Sequence, residues 1–251
     1  MEWVQADLAD WRDHRWREVV ERSEGLVHLA AVNPYPEATW QEAALSLDLT
    51  LHLVNAALDS GRVRRVVFAT SNHVMGRYKD DPLWEQVGPW ELSTALPPGT
   101  GTVWHTGERP MDSTPYATAK LYGELVCQAA AARAGSRVTF AAIRIGWCQP
   151  GENRPETLSA AGTPTQSQAG AVAGELARAD RWFREMWLSN RDFLQLFTRA
   201  LTADGRDWPG GYALVNGMSG NRGMKWSLAE TRRWLGYEPQ DDVYAQAGRI
   251  R

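Results

Sequence analysis

Tyr116 and Lys120 stand four residues apart in the run S-T-P-Y-A-T-A-K at 113–120, a spacing that puts both side chains on one face of a helix. A free phenol ionises near pH 10, and an ammonium fixed beside it favours the phenolate, bringing a general base toward neutral pH. The chain has seven tyrosines but only three lysines, Lys79, Lys120 and Lys225, so composition alone would give about 0.08 such pairs. Coincidence is a weak explanation. A second group, Ser71, Asn72 and His73, lies in T-S-N-H-V-M-G at 70–76, after the apolar run R-R-V-V-F-A. Hydroxyl, amide and imidazole gather there where a strand ends, although the same residues are also ordinary turn formers. His28, in V-H-L-A-A, reads by itself as a buried and satisfied histidine.

Four apolar, β-rich runs position these groups: GLVHLAA at 25–31, RRVVFATS at 64–71, VTFAAIRIG at 138–146 and YALVNG at 212–217. Between them, 40–59 and 115–134 have helical periodicity, the second opening with Ser113 or Thr114 as N-cap and Pro115 in the first turn. Alternating strand and helix predicts an α/β fold with a doubly wound parallel sheet and function at the carboxyl ends of its strands. Residues 80–112, rich in Pro, Gly and Trp, and 151–179, a Ser/Thr/Gly/Ala/Gln tract, read as insertions. The expected organisation is 1–150 as the sheet domain, 151–180 as a flexible insertion and 181–251 as a small C-terminal lobe.

With 251 residues, 43% hydrophobic and 23% charged, the chain is a soluble globular protein of one domain. A net charge of −3 with scattered charges leaves no footprint for nucleic acid or an anionic membrane surface. No apolar run reaches the ~20 residues that span a bilayer, and MEWVQADLAD lacks the features of a secretory signal, so a cytoplasmic location is expected. Cys127 and Cys148 have no metal-ligand spacing, and no metal is expected.

In this order the pieces resemble the extended short-chain dehydrogenase/reductase superfamily, the NAD-dependent epimerase/dehydratase family, and within it the uronate dehydrogenases. The resemblance rests on D-L-A-D at 7–10, V-H-L-A-A at 27–31, F-A-T-S-N-H-V-M-G at 68–76, P-Y-A-T-A-K at 115–120, R-I-G-W-C at 144–148, W-L-S-N-R-D-F at 187–193, V-N-G-M-S-G-N at 215–221 and L-G-Y-E-P at 235–239. It implies a Rossmann-like fold and an NAD-dependent oxidoreductase acting on a sugar acid or related carbohydrate, with NADP as the alternative cofactor and a possible homodimer through the helices at 40–59 and 115–134. Tyr116 would be the general base, Lys120 would lower its pKa and hold the nicotinamide ribose, and Ser71 would orient the reacting oxygen. Asn72 and His73 match substrate-contacting positions. Asp7 and Leu8 match a strand end that contacts adenosine, and Leu29, Ala30 and Ala31 match backbone that passes over the dinucleotide. A substrate carboxylate would need an arginine fork, for which Arg181 and Arg184 are candidates that spacing does not separate.

The sequence departs from the family in places. Family members begin with a strand, a G-x-x-G-x-x-G turn and a helix that receives the pyrophosphate, whereas this chain opens at what resembles the third strand, E-W-V-Q-A-D-L. The expectation is a sheet lacking its first β-α-β unit, an N-terminally truncated sequence and weak NAD binding. Gly217, Gly220 and Gly223 have the glycine spacing but fall in the substrate lobe, so they are rejected as a phosphate site. Ser46 stands where many members carry asparagine, and Trp147 replaces a small residue after R-I-G, where an indole would reshape the pocket. Two other readings are a sugar-nucleotide epimerase and a cofactor-free binding protein.

Overall fold

The computed structural model describes residues 2–33, 37–105, 110–158 and 173–245. Its centre is a parallel sheet of four strands, β1 (Gly25–His28), β2 (Arg65–Ser71), β5 (Thr139–Ile145) and β6 (Tyr212–Gly217), in the order β1-β2-β5-β6. A separate antiparallel hairpin pairs β3 (Val103–His105) with β4 (Pro110–Asp112). All seven residues of β2 are buried, the near-continuous apolar run that a strand covered on both faces requires.

Alternation along the strands sorts the core into two layers. Val66, Phe68, Phe140 and Ala142 face α1 (His14–Arg22), α2 (Trp40–Asp59) and α3 (Thr114–Ala134). On the other side Val67, Ala69, Ala141, Ile143 and Val215 pack with Leu188, Trp182 of α4 (Ala173–Glu185), Leu196 of α5 (Asn190–Thr202) and Leu235 of α6 (Ala229–Leu235). Each fully buried aliphatic or phenyl group there contributes about 1.5–3 kcal/mol. The helix of 40–59 begins with a capping box, Thr39 and Glu42 exchanging hydrogen bonds, as its sequence invites. Arg65 braces the opposite layer: its guanidinium lies 4.1 Å from the Trp208 ring centroid and donates to the carbonyls of Ala200 and Ala203 at the end of α5.

One expectation changes, at the front of the chain. Residues 2–7 form no strand, because no described neighbour offers them a hydrogen-bonding ladder; Asp7 and Leu8 therefore lie in a loop, where the Leu8 carbonyl meets His52 Nδ1 at 2.8 Å. The stretch 80–112 holds the β3–β4 hairpin, and 151–179 includes the start of α4 at Ala173, while residues 159–172 lie outside those described. Strand β6 from the C-terminal segment joins the same sheet as β1, β2 and β5. No described helix is long and apolar enough to cross a membrane.

Candidate active site

The ends of three strands meet at one level, Ser71 beside Ile145 and Ile145 beside Gly217. Ser71 ends β2 in extended conformation and accepts the His73 amide, turning the chain into a 3-10 segment over Asn72–Lys79. Asn72 donates its side-chain amide to the Ile145 carbonyl at 3.0 Å and ties the two strand ends together, while its Oδ1 is buried without a partner. A polar group left in that state costs roughly 1–3 kcal/mol unless something satisfies it.

Helix α3 brings Tyr116 and Lys120 to this level by a close approach to β2. A Cβ on Gly123 would sit 2.6 Å from Phe68 Cζ, so glycine is what lets the helix come so near. Lys120 is buried, with its Nζ donating to the Ala69 carbonyl at 2.9 Å and lying 5.8 Å from the Tyr116 ring centroid. Burial pushes its ammonium down to about 8. Tyr116 also shifts, in the direction opposite to the sequence expectation: burial raises the phenol, and a hydrogen bond with Ser71 only partly offsets this. Desolvation of the phenolate is therefore the dominant effect on this group. Burial and the Lys120 charge hold His28 at about 3, so it is neutral, with its Nε2 3.0 Å from Thr50 Oγ1.

Behind the pair lies an ion pair that sequence reasoning missed. Arg144 of β5 grips Glu124 of α3 with Nε to Oε1 at 2.9 Å and Nη2 to Oε2 at 2.8 Å, and Thr70 donates to the same Oε1 at 2.8 Å. Both charges are almost fully buried. A lone arginine inside an apolar strand was the available signal, since such a charge requires a buried carboxylate. Because Glu124 lies one turn beyond Lys120 and Thr70 just before Ser71, this clamp fixes α3 against the end of β2.

One wall of the site is aromatic. His73 sets its ring edge-on to Tyr116 at 5.8 Å and touches Trp104 at 6.2 Å; Phe183 then bridges Trp104 at 5.9 Å and Trp147 at 5.7 Å. Trp147 therefore joins this wall. Arg181 and Arg184 are both engaged elsewhere, but unequally. Arg181 donates to buried Glu185 at 2.7 Å and to the Gly223 carbonyl at 2.9 Å, whereas Arg184 has one half-exposed partner, Asp180, at 2.9 Å. Burial raises Glu185 to about 7 despite Arg181.

A nicotinamide ribose fits here. Lys120 uses one of its three donors on Ala69 and has two more to offer. Leu29 and Ala30 are exposed immediately beyond β1, leaving the backbone there open to a flat ligand. Gly217, Gly220 and Gly223 offer no phosphate cradle: the Gly220 amide is bonded to the Asp241 carbonyl at 2.8 Å, and α6 begins only at Ala229. Among the described residues no cluster of three His, Cys, Asp or Glu side chains could hold a metal ion.

A tyrosine and lysine one helical turn apart at the carboxyl edge of a parallel sheet define a Rossmann-like oxidoreductase-type fold. The chain belongs to the NAD dependent epimerase/dehydratase family, whose pattern matches residues 1–144. It is 30% identical over 243 residues to the L-arabinose 1-dehydrogenase (NAD(P)(+)) of Haloferax volcanii, covering 96% of this chain and 84% of that protein. A uronate dehydrogenase of Pseudomonas putida is 28% identical over 239 residues, covering 95% of this chain and 68% of its own length. Among solved structures, a mutated uronate dehydrogenase superposes with a TM-score of 0.65 at 25% identity, over 98% of this chain and 69% of the other.

Proposed function

We propose that this protein is an NAD(P)-dependent sugar dehydrogenase that oxidises a hydroxyl of an aldose or uronate. What supports the reading most is the convergence at the end of β2 of Ser71, Tyr116 and Lys120, with the Lys120 Nζ bonded to the Ala69 carbonyl and 5.8 Å from the Tyr116 ring centroid. Tyr116 as phenolate takes the proton of the substrate hydroxyl, and the Ser71 hydroxyl holds the same oxygen in line. The nicotinamide, when bound, supplies the acceptor for the hydride leaving the carbinol carbon. Lys120 holds the ribose and stabilises the charge on the phenolate. Asn72 offers its unpartnered Oδ1 to a ligand donor, and the Trp104–Phe183–Trp147 wall gives a sugar ring an apolar face to lie against. Asp7, Leu8 and the backbone at Leu29, Ala30 and Ala31 would contact the remainder of the dinucleotide. The test is to offer L-arabinose and a uronate with NAD or NADP and to follow nicotinamide absorbance. Reduction with at least one sugar is expected; none with any sugar would overturn the reading.

Of the two candidate arginines, Arg184 is the one we assign to a substrate carboxylate. Its pair with Asp180 is a surface i,i+4 contact worth about 0.3–0.5 kcal/mol, so a ligand recruits the guanidinium at small cost. Arg181 is held by a buried carboxylate and a carbonyl, and serves the fold. Replacing Arg184→Ala should raise KM for the uronate about 10- to 100-fold, the loss of one charge-assisted contact, and leave KM for L-arabinose unchanged. Equal effects on both sugars would reject the assignment.

The same reading expects a cytosolic homodimer through exposed apolar side chains of α2 and α3 such as Leu45, Tyr122 and Leu125. Sedimentation should give twice the chain mass of 28.0 kDa, and a monomer at all concentrations would remove the dimer.

A further inference from the structure

Ser113 occupies the N-cap position of α3, the site where serine ordinarily accepts a helix amide, yet its side chain makes no cap hydrogen bond. That work falls to Asp112, whose Oδ1 accepts the Thr114 amide at 2.9 Å. The Ser113 hydroxyl, fully buried, turns instead toward His73 and Thr102. It accepts the Thr102 amide at 2.8 Å, so its own proton has two destinations: the Thr102 carbonyl at 3.4 Å, or His73 Nδ1 at 2.7 Å. The shorter contact is much the stronger, since hydroxyl hydrogen bonds have their optimum near 2.7–2.8 Å. His73 Nδ1 is then the acceptor. Burial holds the ring at about 4, so it is neutral near pH 7, and a neutral imidazole that accepts at Nδ1 carries its proton on Nε2. The backbone fixes the ring from the other side, with the His73 carbonyl accepting the Gly101 amide at 2.9 Å. Among the described residues nothing bonds Nε2, and the ring stands edge-on to Tyr116.

We propose that Ser113 is a positioning residue that locks His73 as its Nε2–H tautomer, so that the imidazole presents a hydrogen-bond donor to a substrate oxygen adjoining the hydroxyl that Tyr116 deprotonates. This rests on the dehydrogenase reading for the identity of the substrate, but the tautomer itself does not. The donor serves a ring oxygen or a hydroxyl that accepts at that point; with the opposite tautomer a bare nitrogen lone pair would repel a ring oxygen and would force a hydroxyl to turn and donate instead.

The experiment is nitrogen-15 NMR of the histidine side chains in the full chain near pH 7, for the wild type, Ser113→Ala and Ser113→Thr, with His73 assigned by its loss in His73→Gln. The expected result is Nε2–H in the wild type and in Ser113→Thr, which keeps the hydroxyl, and a mixture of tautomers in Ser113→Ala. Steady-state rates should then show about a tenfold higher KM for the sugar in Ser113→Ala with kcat changed much less, and recovery in Ser113→Thr. An Nδ1–H resonance in the wild type, or a tautomer unaffected by Ser113→Ala, overturns the lock; a mixed tautomer with unchanged KM overturns the donor role. Should no sugar be oxidised by the wild type while the resonances behave as expected, the dehydrogenase reading falls and the tautomer assignment stands.

Discussion

Replacing Tyr116→Phe should lower kcat/KM for sugar oxidation by about 10²- to 10⁴-fold, the usual contribution of a positioned general base, while leaving the melting temperature close to that of the wild type. The phenyl ring keeps its edge contact with His73 and loses only the hydroxyl that meets Ser71. The pH profile gives the same residue a second signature. Burial raises the phenol above its ordinary range, so near neutral pH only a small fraction of Tyr116 is phenolate. The rate of sugar oxidation should therefore climb about tenfold per pH unit through neutral pH and go on rising past the point where the lysine, lowered to about 8, loses its proton. A rate that levelled off below pH 8 would show that the base is a group other than this buried phenol.

The largest loss of stability is expected from Arg144→Met. It leaves Glu124 charged and buried with only the Thr70 hydroxyl beside it, a change that costs about 3–5 kcal/mol and should lower the melting temperature by roughly 6–20 °C. Adding Glu124→Leu should recover most of that loss, because the pair as a whole is offset by its own desolvation and the Arg144 Nη1 is buried without a partner. Thermal unfolding of the two single variants and the double variant measures the coupling. If Arg144→Met melted within 2 °C of the wild type, given the 2–4 °C expected per kcal/mol, the clamp would contribute nothing and α3 would be held by packing alone.

Much of this site is legible from sequence because its signals are local. The runs at 25–31, 64–71, 138–146 and 212–217 became β1, β2, β5 and β6 within a few residues, since buried parallel strands require such runs. The helical periodicity of 40–59 and 115–134 became α2 and α3, and the four-residue spacing of Tyr116 and Lys120 needed nothing beyond a helix. What stayed hidden depends on partners distant in the chain. Ser113 reads as an ordinary cap, and its actual partner His73 lies 40 residues away. Glu124 carries no local signal of its role, because its partner Arg144 lies 20 residues on and meets it only in the folded chain. The direction of the Tyr116 shift is hidden for a related reason: the neighbouring lysine is visible in the sequence, whereas the burial that raises the phenol appears only once α3 is packed on β2. The front of the chain, expected as a strand, and the helices α1 and α4 show the same limit, since pairing and packing decide which short amphipathic segments order.

The central claim, that a sugar carbinol is oxidised beside Tyr116, is tested most directly by isotope transfer. L-arabinose carrying deuterium at C1 is incubated with the protein and NAD or NADP, and the reduced nucleotide is examined by proton NMR. The expected result is deuterium on the nicotinamide ring in one stereochemical position, with transfer abolished by Tyr116→Phe. Product formed with the label released to water, or label transferred equally well by Tyr116→Phe, would contradict it.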